Sequence, residues 1–216
     1  MKILPYASDF CMLLAFITTL VRWRYLKGAS LLLGIQTLLA FPTDVTGWIM
    51  GQYNIANFWF YNVYMLPDCL LVATAAWALI KNKVAAGILL AAMALFTVAW
   101  GINFAQRPDT FATGIFMAEC LLVLVAYLYV ITDRIASDGK GLARPLIWLC
   151  FIQIVYYACQ LPLFMVLGYL IKNDLSLASK VYMINPVLNI IRYSLTAFCF
   201  WSLIKPPVAM PGKPAL

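Results

Sequence analysis

Seven apolar stretches, each about as long as a bilayer is thick, constrain this chain more than any other feature. They cover residues 3–21, 29–50, 56–80, 84–105, 110–132, 145–171 and 181–204, and the breaks between them read RWRYLKG, GQYNIAN, KNK, QRPDT, DRIASDGKGLAR and KNDLSLASK. A helix rising 1.5 Å per residue needs about 20 such residues to cross a hydrocarbon core of about 30 Å. The chain has 216 residues, 65% of them hydrophobic and 11% charged. No soluble domain of that length could bury so much apolar surface. The reading is an all-α polytopic transmembrane bundle of seven helices over residues 1–204, followed by a proline-rich cytoplasmic tail, 205–216. Connections this short make successive helices antiparallel neighbours. Pro5 and Asp9 interrupt the first apolar stretch, so it reads as a retained helix rather than a cleaved signal.

Loop charge sets the expected orientation. Arg22, Arg24, Lys27, Lys81, Lys83, Arg134, Lys140, Arg144, Lys205 and Lys213 fall on one side, and Lys2, Arg107, Lys172 and Lys180 on the other. Ten against four places the N-terminus outside and the C-terminus inside. The net charge of +7 is then a matter of topology and of attraction to anionic lipid, not of nucleic-acid binding.

Within the last apolar stretch, Asn185, Asn189, Arg192 and Thr196 are spaced 4, 3, 4 and share one helix face. An arginine at that depth has to face protein or water and find a partner. Asp68 and Glu119 are the expected partners, each being the lone charge in an apolar run. Thirteen residues separate Asp68 from Lys81, Arg192 from Lys205 and Asp9 from Arg22, and fourteen separate Glu119 from Asp133. These groups should therefore lie at one depth, about 20 Å from the cytoplasmic edge. Asp44 and Gln160 fall in the same layer on even-numbered helices. Tyr64 shares a face with Asp68, and Pro67 is expected to bend that helix. The sequence Asp68-Cys-Leu-Leu-Val is echoed by Glu119-Cys-Leu-Leu-Val. The candidate ligand-binding set is thus Arg192, Asp68, Glu119, Asn189, Asn185, Gln160, Tyr64, Asp44 and Asp9. It reads either as an outward-facing pocket for a small molecule or as structural ion pairing and interhelical hydrogen bonding. Gln153, Tyr157 and Gln160 form a further polar stripe on the sixth helix. Below this layer the odd helices are nearly all apolar, so the pocket should be closed on the cytoplasmic side.

Asn62-x-Tyr64 with Pro67-Asp68, Glu119, Trp148, Tyr156-Tyr157 and Asn185…Asn189 together resemble a group of small seven-helix bacterial inner-membrane proteins with no assigned activity. The resemblance implies a multi-pass protein of the bacterial inner (plasma) membrane and brings no chemistry with it. The helix count is also similar to that of microbial rhodopsins, but the last helix has Arg192 where a retinal-binding lysine would be needed, which rejects retinal.

The chain has no histidine, which removes His-ligated haem, His metal sites and a His general base. Its six cysteines lie in apolar stretches with no CxxC pair and read as small buried hydrophobes. No nucleophile elbow, phosphate loop or metal-ligand spacing occurs, and no cofactor or metal is expected. The function expected is a membrane binding or sensory module with a polar pocket open to the periplasm, signalling through a separate partner. The alternatives are a small proton- or cation-coupled secondary transporter and a membrane-embedded lipid-acting enzyme. Expected partners are membrane lipids, a small-molecule ligand and a membrane or cytoplasmic signalling chain. Reporter fusions after Lys83 and Leu216 should both give cytoplasmic signals, and a periplasmic signal from either overturns the orientation.

Overall fold

The structure is a computed structural model and describes residues 3–138 and 144–203. The proline-rich tail at 205–216 and the loop charges Lys2 and Lys140 lie outside these residues. Everything regular in the described chain is helical: α1 (Ile3–Arg22), α2 (Ala29–Gln52), α3 (Phe58–Trp77), α4 (Lys83–Gln106), α5 (Thr113–Asp138), α6 (Arg144–Asn173), a short α7 (Leu175–Tyr182) and α8 (Ile184–Ser202). The seven long helices follow the seven apolar runs. The short helix was not legible as one. Asp174 accepts from the Leu177 backbone N–H at 3.0 Å, and this N-cap turns most of the expected loop 172–180 into helix.

Five helices are long and apolar enough to cross a membrane: α1 with its following turn, α2, α4, α5 and α6. The two that fall short, α3 and α8, are those carrying Asp68 and Arg192 with their amide and tyrosine neighbours. Their polarity is tolerable because they bury it. On α8 the exposed stripe is Ile184, Val187, Ile191, Leu195 and Phe198, while Arg192 and Thr196 turn inward. Pro42, Pro67 and Pro162 all sit inside continuous helices, so Pro67, where a bend is expected, does not interrupt α3. Helices between apolar neighbours hold such prolines because adjacent groups satisfy the freed carbonyl.

Six helices close a ring in the order α1, α2, α3, α5, α6, α8, with α8 packed back against α1. The fourth helix stands outside, against α3 and α5. It buries only Leu89, Met93 and Phe96, and exposes Val84, Ile88, Leu90, Leu95, Val98 and Ile102. Small residues let the ring close tightly. On α1 they are Ser8, Ala15 and Thr19, all buried, and the Thr19 hydroxyl donates to the Ala15 carbonyl at 2.7 Å, so it brings no unmet polar group to the seam. At the far end of that seam the Arg22 guanidinium lies 3.9 Å from the Trp201 ring centre. Gly47 on α2 faces the Tyr61 ring so closely that a methyl group there would collide with it.

The two echoed motifs occupy the neighbouring helices α3 and α5. Cys69, Val72, Cys120 and Val123 are fully buried, and all but Cys69 join Ala73, Ala76, Tyr127, Val130, Leu149 and Phe200 in one apolar core. This core fills the end of the ring where α3, α5 and α8 finish and α2 and α6 begin. The Tyr127 hydroxyl, buried there, donates to the Val72 carbonyl at 3.1 Å. At the other end Asn62 clips the link between α4 and α5 onto α3. Its amide donates to the carbonyls of Pro108 and Thr110 at 3.0 and 2.8 Å, and its oxygen accepts from the Ala112 N–H at 3.1 Å. Trp100 Nε1 donates to the Asn62 carbonyl at 2.7 Å, which gives this polar group on α4 a partner. Removing the clip strands the Ala112 N–H. Asn62→Ala should therefore cost about 2 kcal/mol, read as a lower unfolding midpoint in detergent. An unchanged midpoint would show the clip to be dispensable.

Candidate functional site

The ring interior is organised around one carboxylate. Asp68, 8% exposed, accepts three side-chain hydrogen bonds. Gln36 Nε2 on α2 and the Tyr64 hydroxyl, one turn earlier on α3, reach Oδ1 at 2.6 and 2.8 Å, and the Tyr157 hydroxyl on α6 reaches Oδ2 at 3.1 Å. Gln36 also lies 3.3 Å from the Tyr64 hydroxyl. Helical spacing puts Tyr64 above Asp68, and the ring brings α2 and α6 to it from either side. Bonds to a charged acceptor are among the stronger ones, about 1.5–3 kcal/mol each, so this knot ties three helices together.

Arg192 is buried, 4% exposed, as its cost in lipid requires. The expected hydrogen bond to a carboxylate is not what it finds. Its guanidinium carbon lies 4.2 Å from the Tyr156 ring centre, 5.4 Å from Tyr157 and 5.6 Å from Tyr193. Stacking on aromatic faces is favourable when water is excluded, at about 2 kcal/mol. It satisfies the charge without using every donor, and Nη2 has no hydrogen-bond partner. The physical reason is that Tyr157 is bonded to Asp68 and also faces the guanidinium, so it occupies the place between acid and base. Asp68 still acts on Arg192 through space.

Glu119 on α5 is 1% exposed, and both its oxygens lack a hydrogen-bond partner. The groups acting on it include Asp68, Arg192 and Tyr157. On α6, fully buried Gln153 and Gln160 each leave Oε1 unpartnered. Gln160 Nε2 donates to Asn185 Oδ1 at 2.6 Å, and the Tyr156 hydroxyl to Asn189 Oδ1 at 3.2 Å. Among the described residues, the fully buried polar atoms of this interior without a partner are Glu119 Oε1 and Oε2, Gln153 Oε1, Gln160 Oε1 and Arg192 Nη2.

Of the nine candidate residues, seven belong to this interior: Arg192, Asp68, Glu119, Asn189, Asn185, Gln160 and Tyr64. Asp9 and Asp44 do not join them. They face each other in a cleft of about 280 Å³ between α1 and α2, lined also by Tyr6, Phe41, Val45 and Trp48. Tyr61 and Tyr182 lie beside Asp44. The cleft adjoins the interior, because Tyr182, beside Asp44, also bonds Asn185. Sequence reasoning missed Gln36. It sits in the run LLLGIQTLLA, and the rule that singled out Arg192, a lone polar side chain in an apolar stretch, would have found it. Among the described residues no three His, Cys, Asp or Glu side chains gather as a metal site needs.

The chain was compared with known protein families, curated proteins and solved structures. It matches none of them.

The two interior acids should respond in opposite ways to neutralisation. Asp68→Leu strands a Gln36 amide and two tyrosine hydroxyls and should cost about 3 kcal/mol. Glu119→Gln removes an unpaired buried carboxyl and should leave stability equal or higher. Thermal unfolding of the two variants in one detergent checks this, and an equal loss in both would mean that Glu119 has a structural partner.

Proposed function

We propose that this chain is a binding or sensory module of the bacterial inner membrane, with its N-terminus in the periplasm and its C-terminus in the cytoplasm. Its polar interior takes a small ligand from the periplasmic side, and helix movement passes the event to a separate partner chain. One observation carries this reading: five buried polar atoms of the interior lack partners, while Asp68 is held by three donors. Buried polar groups are nearly always satisfied within the protein or by something bound. An occupant offering mainly hydrogen-bond donors, such as hydroxyl or ammonium groups, would complement the four acceptors. Glu119 and Gln153 hold its middle, Gln160 with Asn185 its outer end, and Asp68 keeps the surrounding helices in register.

The apolar core favours binding over transport. In the proposed orientation Val72, Ala73, Ala76, Val123, Tyr127, Val130 and Phe200 fill the cytoplasmic end beneath the polar layer. A path through them would require several packed side chains to move. The short, polar breaks leave the helix ends as the route by which a signal leaves the bundle.

A second reading, a proton- or cation-coupled carrier, is favoured by the excess of acid. Glu119 and Asp68 share a neighbourhood with one guanidinium, and an exogenous cation or a proton would balance the remainder. Thiol labelling separates the two readings. Cys69 and Cys120 directly follow the two acids and are fully buried. In single-cysteine variants within inside-out vesicles, a membrane-impermeant reagent should leave both unlabelled, along with Cys199. Labelling of Cys69 or Cys120 from that side would reveal an inward-open state and turn the reading to a carrier.

A further inference from the structure

Glu119 is the only glutamate in the sequence, and the fold places it where an ionised carboxylate is hardest to keep. It is 1% exposed, and neither of its oxygens receives a hydrogen bond. Asp68 from α3 and Tyr157 from α6 stand beside its carboxyl, and Arg192 from α8 acts on it through space. Cys69 on α3 also lies near it, while α4 buries only Leu89, Met93 and Phe96. The Tyr157 hydroxyl has one proton, and that proton goes to Asp68. The Arg192 guanidinium is stacked on tyrosine rings and forms no ion pair with Glu119, since Nη2 and both Glu119 oxygens are all without partners. Among the described residues the buried side chains of acid or base type are Asp68, Glu119 and Arg192. Asp68, held by three donors, suits the ionised form, and Arg192 balances it. A second negative charge on Glu119 would have no balance, and a buried carboxyl in that position takes the neutral form.

We infer that Glu119 is a proton-binding site: at neutral pH it holds a proton, and its O–H donates to Asp68, so that the two acids together carry one proton and one negative charge. Two carboxylates in contact repel, and one proton between them turns the contact into a charge-assisted hydrogen bond. Asp68 has room for that bond. A carboxylate offers about four acceptor positions. Gln36 and Tyr64 use two on Oδ1, and Tyr157 uses one on Oδ2. The resident proton deepens, and rests on, the reading of this interior as a ligand site. It leaves the second oxygen of Glu119 open beside Gln153 Oε1 and Gln160 Oε1, so a hydroxyl-bearing occupant still meets acceptors. A cation settling at Glu119 has to take the proton's place, one charge for one. The O–H bond then breaks, its electron pair stays on Glu119, and the proton passes to water. Such an exchange ties the binding of a cation to the release of a proton.

A single glutamate makes the state of this group directly readable. The full-length protein is produced with carbon-13 in the glutamate side-chain carboxyl, purified in detergent at neutral pH, and its infrared spectrum is subtracted from that of unlabelled protein. A glutamate in water, titrating near about 4.3, is ionised under these conditions. Here the isotope-sensitive band should be the C=O stretch of a protonated carboxyl, above the amide I envelope, and Glu119→Gln should remove it. Asp68→Asn should move the band to higher frequency, because a neutral acceptor holds the O–H less tightly. Should that variant fail to fold, Tyr157→Phe frees a position on Asp68 Oδ2 and should move the band to lower frequency. An isotope-sensitive band at the carboxylate position, below amide I, overturns the proposal, since Glu119 would then be ionised. A protonated band that neither Asp68→Asn nor Tyr157→Phe moves also overturns it, because the proton would not be shared with Asp68. The measurement needs neither ligand nor transport, so an ionised Glu119 removes the proton and leaves the interior standing as a ligand site.

Discussion

A carboxylate removed from water has to be held by donors, and this bundle supplies them from three helices to Asp68. Gln36, Tyr64 and Tyr157 leave its oxygens occupied. That requirement fixes more than one side chain. It sets the rotation of α2 and α6 about their axes, because a turn of either would withdraw a donor and leave a buried charge. It also determines what Arg192 can do. With Tyr157 committed to the acid, the arginine stacks on the aromatic faces of Tyr156, Tyr157 and Tyr193 in place of forming a fork with the carboxylate.

The contrast between the two ends of the ring has a simple origin. Where α3 and α5 carry Cys69, Val72, Ala73 and Cys120, Val123, their surfaces are small and apolar and they close completely. Immediately before each of these cysteines stands a carboxyl, and closure gives way to a polar layer. Natural proteins keep unsatisfied groups of this kind at functional sites, where local stability is given up for binding. The relation between the two motifs, each an acid followed by Cys-Leu-Leu-Val, places that change at the same depth on both helices.

Much of this was legible in advance. Run length and loop composition give seven long helices, and lone charges in apolar runs give Asp68, Glu119 and Arg192 as inward-facing groups. Periodicity reports which face a residue occupies on its own helix but not the azimuth of that helix in the bundle. For that reason it does not foresee that Asp9 and Asp44 line a cleft between α1 and α2. Pairing by charge was the wrong guide to Arg192, since opposite sign predicts attraction but not which aromatic groups stand between. The helix over 175–182 was hidden because its apolar content is too short to register as a span, and a single capping aspartate decides it.

The position of α4 bears on how such a chain can be assembled. The neighbours α3 and α5 run in the same direction, and two parallel elements cannot be joined by a tight turn. The chain must first travel back across the full thickness of the layer. α4 is that return stroke, and its duty resembles that of the crossover helix between two parallel strands in an α/β sheet. Its sequence is accordingly free of the polar groups that govern the ring. Among the long helices it should be the one whose surface can drift furthest in sequence, provided that it stays apolar and keeps Trp100 within reach of the Asn62 carbonyl.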